Sequence, residues 1–162
     1  MDAEIVVIRL LHIIPGAVWV GTAVLMALII GPRLKSAATV SSLTSDGDIA
    51  GGAALVMNVA GAFTILFGLA LIWRTDGFSL LFNSGWGWSI GIGLVLSIFA
   101  MGSGGALTST LRRLYRATSG SSERRNISGD NDSLATRVGM ISYINAILVV
   151  VAIGAMAAAR FV

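Results

Sequence analysis

Four long apolar runs, parted by short polar stretches, set the pattern of this chain. The first, residues 5–30, reads IVVIRLLHIIPGAVWVGTAVLMALII; the others cover about 53–73, 88–111 and 138–159. Each reaches the roughly 20 residues that, at a rise of about 1.5 Å, cross a hydrocarbon core about 30 Å thick. With short connections, sequential spans run antiparallel. The pattern predicts an all-α fold, a four-transmembrane-helix antiparallel bundle forming one domain over residues 1–162.

The breaks between runs carry ordinary signals. The first helix is expected to stop near Gly31-Pro32, because proline restricts the residue before it and cannot continue the hydrogen-bond ladder. Residues 36–52 read as a short loop in which Asp46 and Asp48 cap the second helix. The linker 75–87 carries Phe78, Phe82 and Trp86 between Trp73 and Trp88, the aromatic belt of a membrane–water interface. The third span is rich in glycine and runs into the basic string LRRLYR, and residues 117–133 form the main polar loop. Arg160 closes the fourth span as a snorkelling anchor.

Composition agrees with the pattern: 56% of the residues are hydrophobic and 12% charged, with a mean hydropathy of +0.87. That is too apolar for an ordinary soluble domain. The loops after the first and third spans hold Arg33, Lys35, Arg112, Arg113, Arg116, Arg124, Arg125 and Arg137, against Arg9, Arg74 and Arg160 on the other side. This asymmetry places both termini outside the cytoplasm, in a multi-pass protein of the plasma membrane. The sequons at Asn126 and Asn131 then face the cytoplasm and carry no weight. The net charge of +3 speaks to topology and not to nucleic acid. The absence of cysteine excludes disulfides, Cys-ligated zinc, iron–sulfur clusters and covalent haem attachment. Asp2 and Glu4, with the long apolar run after them, argue against a cleavable signal peptide.

Chemistry concentrates in the first span. His12, the single histidine, has Arg9 one turn before it, Pro15 and Gly16 one turn after it and Trp19 two turns after it, on or near one helical face. An ionisable face is expensive in lipid and should look at something else. One reading is a b-type haem ligand, with Gly16 and Ala23 leaving room and Arg9 placed for a propionate. The other is a histidine hydrogen-bonded between helices, since Pro15 frees a carbonyl nearby. Trp19 is correspondingly a haem wall or helix–helix filler, and Arg9 a clamp or a snorkelling residue. Asn58 and Asn145 suit interhelical hydrogen bonds better than a bound quinone. Clustered soft donors for copper are missing, as are GxSxG, HExxH, phosphate-loop and paired-carboxylate motifs. No catalytic residue is assigned.

The string LHIIPGAVWVGTAVLMALIIGPRL resembles the first helix of the HemJ-type protoporphyrinogen oxidases and the related CopD-like four-helix membrane proteins, through Leu11, His12, Ile13, Ile14, Trp19, Gly21, Pro32, Arg33 and Leu34. The closing MAAARF is similar to the end of such proteins. The resemblance implies haem b held by His12, with electron transfer or porphyrin-related redox as the function; a chlorophyll-type tetrapyrrole on the same nitrogen is the alternative pigment. The lysine that the family carries after a Gly-Trp pair is absent after Gly85-Trp86, and the family's later histidine falls near Met101. By depth, His12 lies about 10 Å and Met101 about 20 Å below the outer surface. Iron held by His12 should therefore be five-coordinate, water-bound, or shared between two chains across a two-fold axis. A homo-oligomer or a larger membrane complex is the expected assembly, and a non-catalytic accessory subunit packing against a larger respiratory or photosynthetic membrane complex is the competing class.

Overall fold

The computed structural model describes residues 3–33, 49–79, 81–119 and 128–161. Among them, four helices are long and apolar enough to cross a membrane: α1 (Ala3–Arg33), α2 (Ile49–Arg74), α3 (Gly85–Ser119) and α4 (Ser128–Ala158), the last ending in a 3-10 turn at Ala159–Phe161. In lipid every backbone N–H and C=O must be satisfied within the protein, and a helix does this within one segment. The chain is a multi-pass membrane protein with an all-α bundle fold. Its outer surface is a continuous apolar coat that includes Leu10, Ile14, Leu66, Phe99 and Ile147.

The helices pack in ring order, α1 on α2, α2 on α3, α3 on α4 and α4 back on α1, which leaves α1 and α3 diagonal. Glycines set how closely each seam closes, as expected where lipid removes the hydrophobic drive and van der Waals fit decides association. A Cβ on Gly93 would lie 2.7 Å from Met156 Cγ, so α4 seats a methionine in a notch of α3. A Cβ on Gly61 would lie 2.8 Å from Trp19 Cε2, so α1 seats its indole in a notch of α2. Trp19, Met26, Met57, Leu107, Val138 and Val149 form the buried centre.

The helix boundaries differ from the sequence expectation in three places. Helix α1 passes through Gly31-Pro32 by widening: Met26–Ile30 is π-helical, and the Gly31 N–H bonds to the Met26 carbonyl. A wider turn changes which carbonyls need a donor, and Pro32, with none to give, is absorbed. Helix α3 runs on through LRRLYR to Ser119, and α4 starts at Ser128 instead of near 138. Packing accompanies the extension: Leu111, Leu114, Ala135 and Val138 are buried in one cluster at this end of α3 and α4. The expected caps Asp46 and Asp48, Lys35 and the sequon residue Asn126 lie outside the described residues.

The α2–α3 connection is tight. Asp76 takes a left-handed φ of 53°, the Thr75 N–H bonds to the Leu71 carbonyl, and Ser84 Oγ accepts the Gly87 N–H to cap α3. Trp73, Phe78, Phe82 and Trp88 are exposed around this end, as a belt requires, while Trp86 tucks against Gly77.

Candidate functional site

His12, Gly16 and Trp19 share the face of α1 that meets α2. Nδ1 of His12 lies 2.8 Å from the main-chain carbonyl oxygen of Thr64. A carbonyl only accepts, so Nδ1 carries the proton and donates it. In the neutral ring Nε2 is then left with its lone pair. The imidazole reaches the α2 backbone because residue 68 is glycine: a Cβ there would stand 3.0 Å from Cε1 and 3.1 Å from Nδ1. Deeper along the seam, Thr64 Cγ2 lies 3.4 Å from the Cβ position of Gly16, and Trp19 covers Gly61. Thr64 spends its own hydroxyl on the Ala60 carbonyl at 2.8 Å, so only its main-chain oxygen serves the histidine.

The seam is also tied at its mouth. Arg74, ending α2, makes a bidentate contact to Glu4 of α1, Nε to Oε1 at 2.8 Å and Nη2 to Oε2 at 2.7 Å. Arg9 is exposed and makes no polar contact among the described residues. Met101 is half-buried on α3, diagonal to α1, and does not belong to the His12 seam.

A second polar cluster joins α2, α3 and α4 at the bundle centre. Asn58 donates to Thr108 Oγ1 at 2.7 Å, and Asn145 Nδ2 contacts Met57 Sδ at 3.4 Å. Both amides converge on Gly104, where a Cβ would meet Asn58 Oδ1 at 2.5 Å and Asn145 Nδ2 at 3.6 Å. Asn58 is thus the interhelical bond its sequence position suggested. Asn145 is 1% exposed, and its Oδ1 has no hydrogen-bond partner among the described residues.

Chemically, the His12 seam offers one nitrogen donor of fixed tautomer and, a turn away, Arg9, a cation with no polar partner among the described residues. Among the described residues no three His, Cys, Asp or Glu side chains converge to enclose a bare metal ion. A macrocycle cannot lie between α1 and α2, because Thr64 against Gly16 and Trp19 against Gly61 fill that space. Leu11, Ile13 and Ile14, on the flank beside this seam, are exposed.

Sequence reasoning missed Thr64, Gly61 and Gly68. The signal was available: Gly61, Thr64 and Gly68 recur at i, i+3 and i+7, a small-residue face on which another helix can seat large side chains. No protein-family model, curated protein or solved structure matches this chain.

Proposed function

We propose that this chain is a membrane-embedded b-type haem-binding protein, in which His12 Nε2 would hold the iron, with electron transfer or porphyrin-related redox as its task. The observation that carries the reading is the bond from Nδ1–H to the Thr64 carbonyl. Ligating histidines characteristically give their other N–H to a carbonyl or carboxylate, which fixes the tautomer, holds the ring and raises the basicity of the donor nitrogen. When bound, haem supplies one-electron chemistry. Thr64 holds the His12 ring and Gly68 gives it clearance; Arg9, exposed one turn away, would meet a propionate, and the apolar flank would exclude water. The first-helix resemblance to HemJ-type proteins supports the same reading, but without the family's lysine no oxidase step is assigned. A chlorin on the same nitrogen is the alternative pigment. Both termini lie outside the cytoplasm of a plasma membrane in this proposal, supported by Arg33, Arg112, Arg113 and Arg137 on the basic ends of their helices.

The absorption spectrum of the purified protein tests it. A reduced-minus-oxidised b-type signal is expected, and His12→Ala should abolish it while the protein still inserts. Full pigment retention in that variant, or a colourless wild type from haem-replete cells, overturns the reading.

A second reading, an accessory subunit of a larger membrane complex, has one observation of its own. A Cβ on Gly21, Gly91, Gly102, Gly105 or Gly154 would meet nothing within 4 Å. Glycine inside a helix costs about 1 kcal/mol relative to alanine, so bare glycines on a lipid-facing surface suit a further helix at close range. Stoichiometric co-purification of another membrane protein in mild detergent would favour this reading.

A further inference from the structure

The free nitrogen of His12 opens outwards. Of its imidazole, only Cε1 and Nδ1 come within 4 Å of the Cβ position of Gly68, so the Nε2 corner points away from α2. Nε2 has no polar partner among the described residues and is not sealed inside the bundle. A haem iron takes axial ligands chiefly from histidine, methionine, cysteine and tyrosine. His12 is the single histidine, and cysteine is absent. Among the described residues no other donor of the chain stands beside Nε2. Met26 and Met57 are fully buried at the bundle centre, Met101 lies on α3, diagonal to α1, and Met156 is seated in the Gly93 notch of α3. Met140 adjoins Gly139, which meets Gly31 nineteen residues along α1 from His12, a rise of about 28 Å. Tyr143 lines an apolar groove of about 260 Å³ between α1 and α4 beside Leu28, about 24 Å along, and residue 115 is in the last turn of α3.

The charge beside His12 is likewise half of what the cofactor calls for. Haem b carries two propionates. Arg9, one turn nearer the start of α1 than His12, is exposed and has no polar partner among the described residues. The other two arginines at this end are spent or placed elsewhere: Arg74 pairs with Glu4, and Arg160 sits on the closing turn of α4, which packs on α3. One chain thus offers one open nitrogen and one cation. Copies inserted in the same orientation and related by a two-fold axis along the membrane normal hold each residue at the depth of its twin, so His12 is matched by His12 and Arg9 by Arg9.

We propose that the His12 site is completed by a second copy of this chain: one haem would be shared across the two-fold axis, with Nε2 of His12 from each chain as its two axial donors and Arg9 from each chain for its two propionates. This rests on the haem reading above. Two donors and two cations then answer one iron and two carboxylates, and the two-fold symmetry of the pair matches the near symmetry of the macrocycle about the line between its propionates. Without those carboxylates the two guanidiniums repel each other, and near lipid that repulsion is poorly screened. Pairing of the chains is therefore tied to loading.

The full chain, purified in mild detergent from haem-replete and haem-depleted cells, tests the proposal by light scattering, pigment stoichiometry and electron paramagnetic resonance of the oxidised protein. The loaded protein should be a dimer with one haem for two chains and the low-spin signal of two axial imidazoles, and the depleted protein should be a monomer. Arg9→Gln should weaken haem retention by roughly tenfold or more, the worth of a charge-assisted hydrogen bond lost at each propionate. Arg160→Gln, which removes a cation from the same end of the bundle, should leave retention unchanged. Co-expression of wild type with a separately tagged His12→Ala chain should give mixed pairs without the low-spin signal. Monomers with one haem each and high-spin iron, a low-spin signal in the mixed pairs, or undiminished retention in Arg9→Gln overturns the shared site while haem binding stands. A chain that stays colourless in haem-replete cells overturns both.

Discussion

Helix α1 meets its two neighbours in opposite ways. Towards α2 it is locked: an indole sits in the notch of Gly61, an imidazole reaches the backbone over Gly68, and Glu4 pairs with Arg74 at the mouth. Towards α4 it touches closely at Gly31 and Gly139 and then parts into an apolar groove. Both seams are built from small residues and both face the same solvent, so hydropathy cannot explain the difference. It comes from whether a large side chain opposes each glycine. Trp19 and His12 oppose Gly61 and Gly68, whereas Ala146 faces the groove at Ala27 and Leu28, with no large group crossing from either helix. In lipid, small residues bring helices together only where a partner fills the space they leave.

Adding bulk should therefore break one seam and spare the other. The largest effect is expected from Gly61→Leu. Its Cβ alone would sit 2.8 Å from the Trp19 ring, so α1 and α2 must separate. A loss of about 2–3 kcal/mol, the upper part of the range for overpacking, should appear as a lower unfolding midpoint in detergent titration.

Gly68→Ala should divide stability from chemistry. Its Cβ would press on Cε1 and Nδ1 of His12 at 3.0 and 3.1 Å and displace the ring from the Thr64 carbonyl. The lost interhelical bond, about 0.6 kcal/mol, is offset by the better helix propensity of alanine, about 1 kcal/mol. Stability should stay within about 0.5 kcal/mol of the wild type by that sum. Nitrogen NMR of labelled histidine should nonetheless show the Nδ1–H bond weakened, and bound pigment should fall. An unchanged Nδ1 signal would mean the seam yields more easily than its packing suggests.

The smallest effect is expected at the open seam. Ala146→Leu places its extra methyl groups in existing space, so its unfolding midpoint should match the wild type within about 0.5 kcal/mol, against the overpacking penalty expected at Gly61. A destabilisation as large as that of Gly61→Leu would show that the groove closes in the membrane.

The same contrast marks what was legible beforehand. His12, Gly16 and Trp19 are one helical face by spacing alone, and the structure brings them to one seam. Which helix they would meet was not legible, because every span is apolar and any could have been the neighbour. The spacing puts Arg9 on or near the same face, whereas the structure leaves it exposed and without a polar contact among the described residues. The extension of α3 to Ser119 was missed because hydropathy stops where the arginines begin, whereas Leu111 and Leu114 continue to pack beneath them. The π-helical turn has a trace in Gly31-Pro32, but proline there reads equally well as an end.

Apolar length and the distribution of charge determined by themselves that this chain forms an all-α, four-span membrane bundle, since lipid leaves a long apolar segment few other ways to satisfy its backbone. Only the tertiary structure decided that Nδ1 of His12 is spent on the Thr64 carbonyl, that Asn145 Oδ1 has no donor among the described residues, and that α1 and α4 part into a groove. Those outcomes depend on the rotation and register of one helix against another. Such rotations are set by contacts of a few tenths of an ångström between glycines and the side chains that face them, and a sequence of uniformly apolar helices does not encode them along its length.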